Sequence, residues 1–346
     1  CDLLLLNGFR QADGRATIAD GYPGTRAGMR AEEFVQQVGA GIYAIDTGYV
    51  RPRLAASHLL VDGGRAAFVD TGTANSLPRL LAALEQVELA PEDVDYVLLT
   101  HIHLDHAGGA GQLMEALPGA TLVVHPRGAR HMVDPSRLIA GTRAVYGNAE
   151  YRRLYNEILP IPKARVHEVA DGETLQLGAR SFEFIHTRGH ADHHYCIVDP
   201  AAGQIFSGDT FGVSYRQTDT DKGAFIFPTT TPVHFDPQAA HASIDRLLSY
   251  QPGEIFLTHY SKVTELDRLA ADLHRRIDRF VEIAEHCEDM EDRMQNIADR
   301  MRDYLWRELS RHGFDGTDRE REDILGMDIE LNAMGLDVWL TRLAAA

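Results

Sequence analysis

Thr100-His101-Ile102-His103-Leu104-Asp105-His106-Ala107-Gly108-Gly109 follows directly on the apolar run Val94-Asp95-Tyr96-Val97-Leu98-Leu99. Three imidazoles and a carboxylate stand within six residues, at the end of what reads as a buried strand. Side chains alternate along an extended segment, so His101 and His103 project to one side and can grip a single metal ion. Gly108 and Gly109 let the chain turn, which allows Asp105 and His106 to reach a second ion. The competing reading is a chance cluster of solvated loop histidines, and the tight spacing argues against it.

Working outward, short β-rich runs with turn residues between them flank this stretch on both sides. "GIYAIDTGY" (41–49), "SHLLVDG" (57–63) and "RAAFVDTG" (65–72) precede it and read as hairpins of a mixed sheet. Ser76 is placed as the N-cap of a helix running to about Val87. "ATLVVH" (120–125), "ETLQL", "RSFEFIHT", "HYCIVD" and "QIFSGD" follow as strands, then a helix over 236–250 and the strand "EIFLTH" (254–259). Three of these later runs end on a candidate ligand: His190 after "HTRG", Asp209 after "IFSG" and His259 after "EIFLT". Taken singly, each could be a hydrogen-bonded loop histidine or an aspartate capping a turn. Beside the His101 cluster, all three become candidates for the same site.

The pattern His101-x-His103-x-Asp105-His106, with His190, Asp209 and His259 following in order, resembles the signature of the metallo-β-lactamase-fold hydrolase superfamily. The resemblance covers roughly residues 40–260. It implies an α+β fold, an αββα sandwich of two sheets with helices outside, and a bimetal site at one sheet edge. By position it implies that His101, His103 and His190 bind one metal and that Asp105, His106 and His259 bind the other, with Asp209 bridging. Asp70 in "VDTGT" matches a loop acid that supports the ligands. His194 in "GHADHHY" is a candidate support as well, although the family's usual Pro and Gly in this loop are absent here.

An all-imidazole and carboxylate donor set suits two divalent ions, zinc first, with iron or manganese as the other choices. Such ions lower the pKa of water, so a metal-bridging hydroxide could attack an activated carbonyl, a thioester or lactone before others. Asp105 and Asp209 are then the catalytic carboxylates. Tyr215, shortly after Asp209, is a candidate for polarising the substrate carbonyl. Two other functions stay open: a regulatory or binding protein that keeps the metal site and acts through its helical tail, and a phosphodiesterase.

Composition narrows the partners. Lys plus Arg is 34 and Asp plus Glu is 51, so the net charge of −17 disfavours nucleic acid and leaves a small-molecule substrate as the expected partner. No apolar run is long enough to span a bilayer, and no secretory leader is visible, so a cytoplasmic protein without membrane contact is expected. The chain opens on Cys1, as a lipidated mature terminus also would. Cys1, Cys196 and Cys287 are too far apart for a C-x-x-C zinc pattern and read as idle thiols.

Residues 1–36 read as an irregular N-terminal arm, 37–260 as the metallo-β-lactamase-fold domain and 261–346 as a C-terminal helical extension. Within the domain, 126–165 breaks the β rhythm. Its section "RAVYGNAEYRRLYNEIL" (143–159) reads as helix, and its Tyr146, Tyr151 and Tyr155 suggest either a lid or an outer helix packed through its tyrosines. In the tail, Leu266, Leu269, Leu273, Ile277, Phe280 and Ala284 form one apolar face. Met294, Ile297, Met301 and Leu305 form a second, and a third helix is expected near 320–343. Such faces suggest packing against the sheet domain or a homodimer through these helices.

Overall fold

The computed structural model describes residues 31–345, which fall into two compact units. The first is the chain up to Val169 together with Gln176–Arg180, and the second is Ala170–Leu175 together with the chain from Ser181. The arm expected over 1–36 lies largely outside the described residues. Its last part does not fit that expectation, because Val35–Gly39 pairs as a strand with Ile42–Asp46.

The first unit holds a seven-stranded sheet whose strands lie in sequence order: β1 (Val35–Gly39), β2 (Ile42–Asp46), β3 (Ala56–Asp62), β4 (Arg65–Val69), β5 (Val94–Leu99), β6 (Thr121–Val124) and β7 (Val166–Glu168). The first four form an antiparallel meander, and β4 to β7 run parallel. Each parallel step needs a crossover, and helices supply it. These are α1 (Leu77–Gln86), then α2 (Leu104–Ala107) and α3 (Ala110–Ala116), then α4 (Pro126–Val133) and α5 (Ser136–Tyr155). Phe68, Val97, Leu99, Leu122 and Val124 of the sheet share one core with Leu80, Leu84, Leu113 and Met114 of the helices.

The segment 143–159 is only partly helical. α5 breaks at Gly147 (φ 73°, ψ 165°) and stops at Tyr155, because Asn156 turns to φ 58°. Tyr151 and Tyr155 are buried, the hydroxyl of Tyr155 lies 2.9 Å from that of Tyr49, and Arg143 sits over the Tyr151 ring. Both tyrosines therefore serve packing. The side chain of Tyr146 lies outside the described residues.

The second unit holds a six-stranded sheet in the order β13 (Ser261–Val263), β12 (Glu254–Leu257), β11 (Gln204–Gly208), β10 (Tyr195–Asp199), β9 (Arg180–His186) and β8 (Glu173–Leu177). Only β11 and β12 run parallel among the named pairs, and α6 (Pro237–Ser249) lies between them in sequence. The tail forms α7 (Leu266–Glu285), α8 (Arg293–His312) and α9 (Asp318–Ala344). These helices belong to the same compact unit as the second sheet, so that unit runs across the boundary expected at 260. The reason is hydrophobic. Leu269, Leu273, Ile277, Phe280 and Ala284 of α7 are all buried within this unit, which removes from water the face that had suggested a homodimer.

Candidate metal centre

In the first unit, β5 delivers the His cluster. The strand ends at Leu99, His101 and Ile102 follow outside any helix or strand, and His103, extended in backbone, is the N-cap of α2, so Asp105 and His106 sit in that helix's single turn. His101 Nε2 and His103 Nδ1 converge to 2.9 Å. The rings of His101 and His106 are 4.0 Å apart, and Asp105 Oδ2 lies 3.6 Å from His106 Nε2. Gly109 is required by close approach rather than by an unusual backbone angle. A Cβ there would lie 2.6 Å from the carbonyl oxygen of Thr73.

Asp70 organises this cluster of the first unit. It follows β4 with a left-handed backbone (φ 56°) and is fully buried. The Thr100 N–H and hydroxyl donate to its carboxylate at 2.9–3.0 Å, and His106 Nδ1 lies 2.8 Å from Oδ2. An ionised carboxylate only accepts, so the His106 proton is held on Nδ1 and Nε2 keeps its lone pair, as metal-ligating histidines require. Close by on β3, burial pushes the His58 imidazole down to about 4, against the opposing pull of the Asp70 charge.

In the second unit, strand ends again carry the candidate residues. His190 lies between β9 and β10, Asp209 follows β11 and His259 follows β12. The two carboxylate oxygens of Asp209 face different imidazoles: Oδ2 is 3.5 Å from His190 Nε2, and Oδ1 is 3.6 Å from His259 Nε2. His194 braces the aspartate. Its Nε2 accepts the Asp209 backbone N–H at 3.2 Å, which puts the proton on Nδ1, 2.9 Å from the Thr187 hydroxyl and 3.2 Å from that of Thr210.

A further layer of contacts in this second unit went unseen in the sequence. His190 Nδ1 faces the carbonyl oxygen of Thr229 at 3.5 Å and its hydroxyl at 3.4 Å. The loop carrying Thr229 is clamped by α9. Asn332 Oδ1 accepts the Thr230 N–H, the Thr230 hydroxyl donates to the Asn332 carbonyl at 2.9 Å, and Asn332 Nδ2 donates to the Pro228 carbonyl at 3.3 Å. The only hint in sequence was a lone Asn and Gly within the apolar "LNAMGL" of the tail. Tyr215 also points to α9. It is buried, and its hydroxyl donates to the Asp328 carboxylate at 3.0–3.1 Å, a contact that engages the group expected to polarise a substrate.

Imidazole and carboxylate groups able to hold metal ions are thus present in both units: His101, His103, Asp105 and His106 in the first, His190, Asp209 and His259 in the second. The donor chemistry fits zinc, iron or manganese. Among the described residues no helix is long and apolar enough to cross a membrane.

Residues 50–259 match the model of a family described as the metallo-beta-lactamase superfamily. The chain belongs to that superfamily. It is 24% identical over 229 residues to the metallo-beta-lactamase fold-containing protein ST1585 of Sulfurisphaera tokodaii, covering 63% of this chain and 78% of that protein. It is 32% identical over 212 residues to the hydroxyacylglutathione hydrolase of Xanthomonas euvesicatoria, covering 61% of this chain and 59% of the enzyme. The crystal structure of ST1585 superimposes with a TM-score of 0.60 at 21% identity, over 86% of this chain and 98% of that one. A metallo-beta-lactamase family protein from Thermus thermophilus gives a TM-score of 0.59 at 19% identity, over 88% and 94%. The expected α+β fold class, two sheets with helices and a helical C-terminal region, is the one found.

Proposed function

We propose that this metallo-β-lactamase-superfamily chain is a metal-dependent hydrolase of activated carbonyl compounds, with a thioester as the first substrate class and a lactone as the second. The observation that carries the reading is the division of Asp209, whose two oxygens face His190 and His259 separately, as a carboxylate shared by two ions would. In this reading His101, His103 and His190 hold one ion, Asp105, His106 and His259 hold the other, and Asp209 serves both. The resemblance to hydroxyacylglutathione hydrolases supports the thioester choice. Zinc is the first choice of metal, with iron or manganese as alternatives.

Divalent ions held there would supply Lewis acidity and lower the pKa of water toward neutrality. The chain's own residues fix the geometry. Asp70 keeps the His106 proton on Nδ1, His194 fixes the backbone of Asp209, and the Thr229 loop orients His190. Each of these contacts sets a ligand's direction before any ion arrives, which lowers the cost of ordering the site.

Steady-state turnover of S-lactoylglutathione, acyl-CoA and acyl-homoserine lactones, with metal content measured on the same preparation, tests the proposal. Thioester or lactone turnover that vanishes in Asp209→Asn supports it. Cleavage of bis-p-nitrophenyl phosphate well above every carbonyl substrate would make the chain a phosphodiesterase. Absence of any turnover in metal-loaded protein would favour a binding role exercised through the helical tail.

A further inference from the structure

The segment from Pro228 to Phe235, just ahead of α6, is held along one face of α9. Asn332, Gly335, Trp339 and Arg342 step by 3, 4 and 3 residues, which places them in one row on that helix. Asn332 takes Pro228 and Thr230, and Gly335 lets the helix close on the Thr230 carbonyl, where a Cβ would lie 1.5 Å away. The Trp339 ring meets that of Phe235 edge to face at 6.2 Å, and Arg342 donates to the Val233 carbonyl at 2.8 Å. At the far end, the Asp236 N–H donates at 2.9 Å to the carbonyl of Gly189, the residue before His190.

Alternate residues of this segment divide their contacts. Pro228 and Thr230 turn to Asn332, whereas Thr229 and Thr231 turn to His190. The Thr229 carbonyl, its hydroxyl and the Thr231 hydroxyl all lie 3.4–3.5 Å from His190 Nδ1. Such alternation is that of an extended chain, so a shift on the Asn332 side carries the His190 side with it. Asn332 acts as a neighbouring strand would: its amide oxygen accepts the Thr230 N–H, and its amide nitrogen donates to the Pro228 carbonyl two residues back. The side chain is buried, where an amide costs free energy unless its groups are paired.

We propose that Asn332 is a positioning residue for the metal centre: by fixing Pro228 and Thr230 it sets Thr229 and Thr231 against His190, and so the direction in which His190 Nε2 points. The inference rests on the reading of His190 as a metal ligand. A carbonyl only accepts, so the Thr229 contact favours the proton on Nδ1 and leaves the Nε2 lone pair for an ion. α9 lies beyond residues 50–259, the part matched by the superfamily model. The helical tail of this chain is therefore part of what orients a ligand, not an appended module.

The test reads metal binding on the full chain, without turnover. Metal-stripped parent, Asn332→Ala, His190→Ala and Leu305→Ala, a core truncation on α8, are each titrated with Co²⁺ and followed by visible absorption. Zn²⁺ affinity is then read by competition with a chromophoric chelator. The signal lost in His190→Ala marks the ion that His190 holds. Asn332→Ala should bind that ion about 10-fold more weakly, the low end of what losing a ligand's own hydrogen-bond partner costs, with its Co²⁺ d–d bands shifted. Leu305→Ala should lower the thermal transition at least as far yet keep the parent's affinity and bands. Parent-like affinity and bands in Asn332→Ala, or an equal change in Leu305→Ala, would overturn the inference and leave His190 a ligand. A parent with no ion that depends on His190 would overturn the reading of His190 and the inference with it. If Asn332→Ala fails to fold, Thr230→Val replaces it, because it removes the hydroxyl's bonds to Asn332 at nearly constant volume. The same weakening and band shift are expected, and unchanged binding would overturn the inference.

Discussion

Gly335 on α9 offers a test in which two physical effects predict opposite signs. A Cβ at this position would lie 1.5 Å from the carbonyl oxygen of Thr230, 2.6 Å from its carbonyl carbon and 2.9 Å from that of Thr231. Real Cβ atoms do not come closer than 3.0 Å, so helix and loop must separate by about 1.5 Å, and all the obstructing atoms are backbone. Helix propensity alone says that Gly335→Ala stabilises by about 1 kcal/mol. Packing says otherwise. Forcing the contact costs about 1–3 kcal/mol, and pulling the Thr230 N–H off Asn332 in a buried setting costs about 1–3 kcal/mol more. The expected net effect is a loss of about 3 kcal/mol. Gly326, two and a half turns earlier on the same helix, is the control, because a Cβ there meets only the flexible end of Glu322 at 2.7 Å. Gly326→Ala should therefore be neutral or gain up to about 1 kcal/mol. Urea unfolding followed by fluorescence of Trp306 and Trp339, both on tail helices, reads the difference. A Gly335→Ala protein as stable as the parent, or a shift in the same direction for both glycines, would refute the close-contact argument.

Asp70→Asn should leave the fold in place while lowering Zn²⁺ affinity 10–100-fold, measured by competition with a chromophoric chelator, because the His106 ring loses its charged anchor. His58 contributes stability only while neutral. Its folded value of about 4 lies below the ordinary 6.5, so this contribution is complete above pH 6.5 and falls as the pH drops toward 4. Between pH 7 and 5 the parent should lose about 2 kcal/mol more than His58→Gln in urea unfolding, and an equal loss in both would refute the buried-neutral assignment. Burial pushes the Cys196 thiol up to about 12, so alkylation at pH 8 followed by peptide mapping should mark Cys196 only after urea is added. Labelling of Cys196 in the folded protein would contradict its burial.

The imidazole and carboxylate residue types, their order and their placement at strand ends were legible in the sequence. A dense His-x-His-x-Asp-His run after an apolar strand needs no tertiary information to suggest a metal, and Leu, Ile and Phe at helical spacing announce the tail helices. Short or weakly patterned elements escaped. β1, β7 and β13 are three to five residues long, and their strand character comes from the neighbour they pair with rather than from their own residues. The kink at Gly147 and the stop at Asn156 likewise interrupt a helix that periodicity alone would have extended.

What only the tertiary structure decided is which polar groups meet across long sequence separations. Asp70 with His106, Thr229 with His190, Asn332 with Thr230 and Tyr215 with Asp328 are hydrogen bonds between residues 36 to 113 positions apart, set by how strands and helices pack. The hydrogen bond between His241 and His274, 33 positions apart, is of the same kind. Local pattern fixes a residue's chemistry and the face it occupies, because those follow from the 2- and 3.6-residue periods of the backbone. It carries no record of what lies opposite once the core has closed.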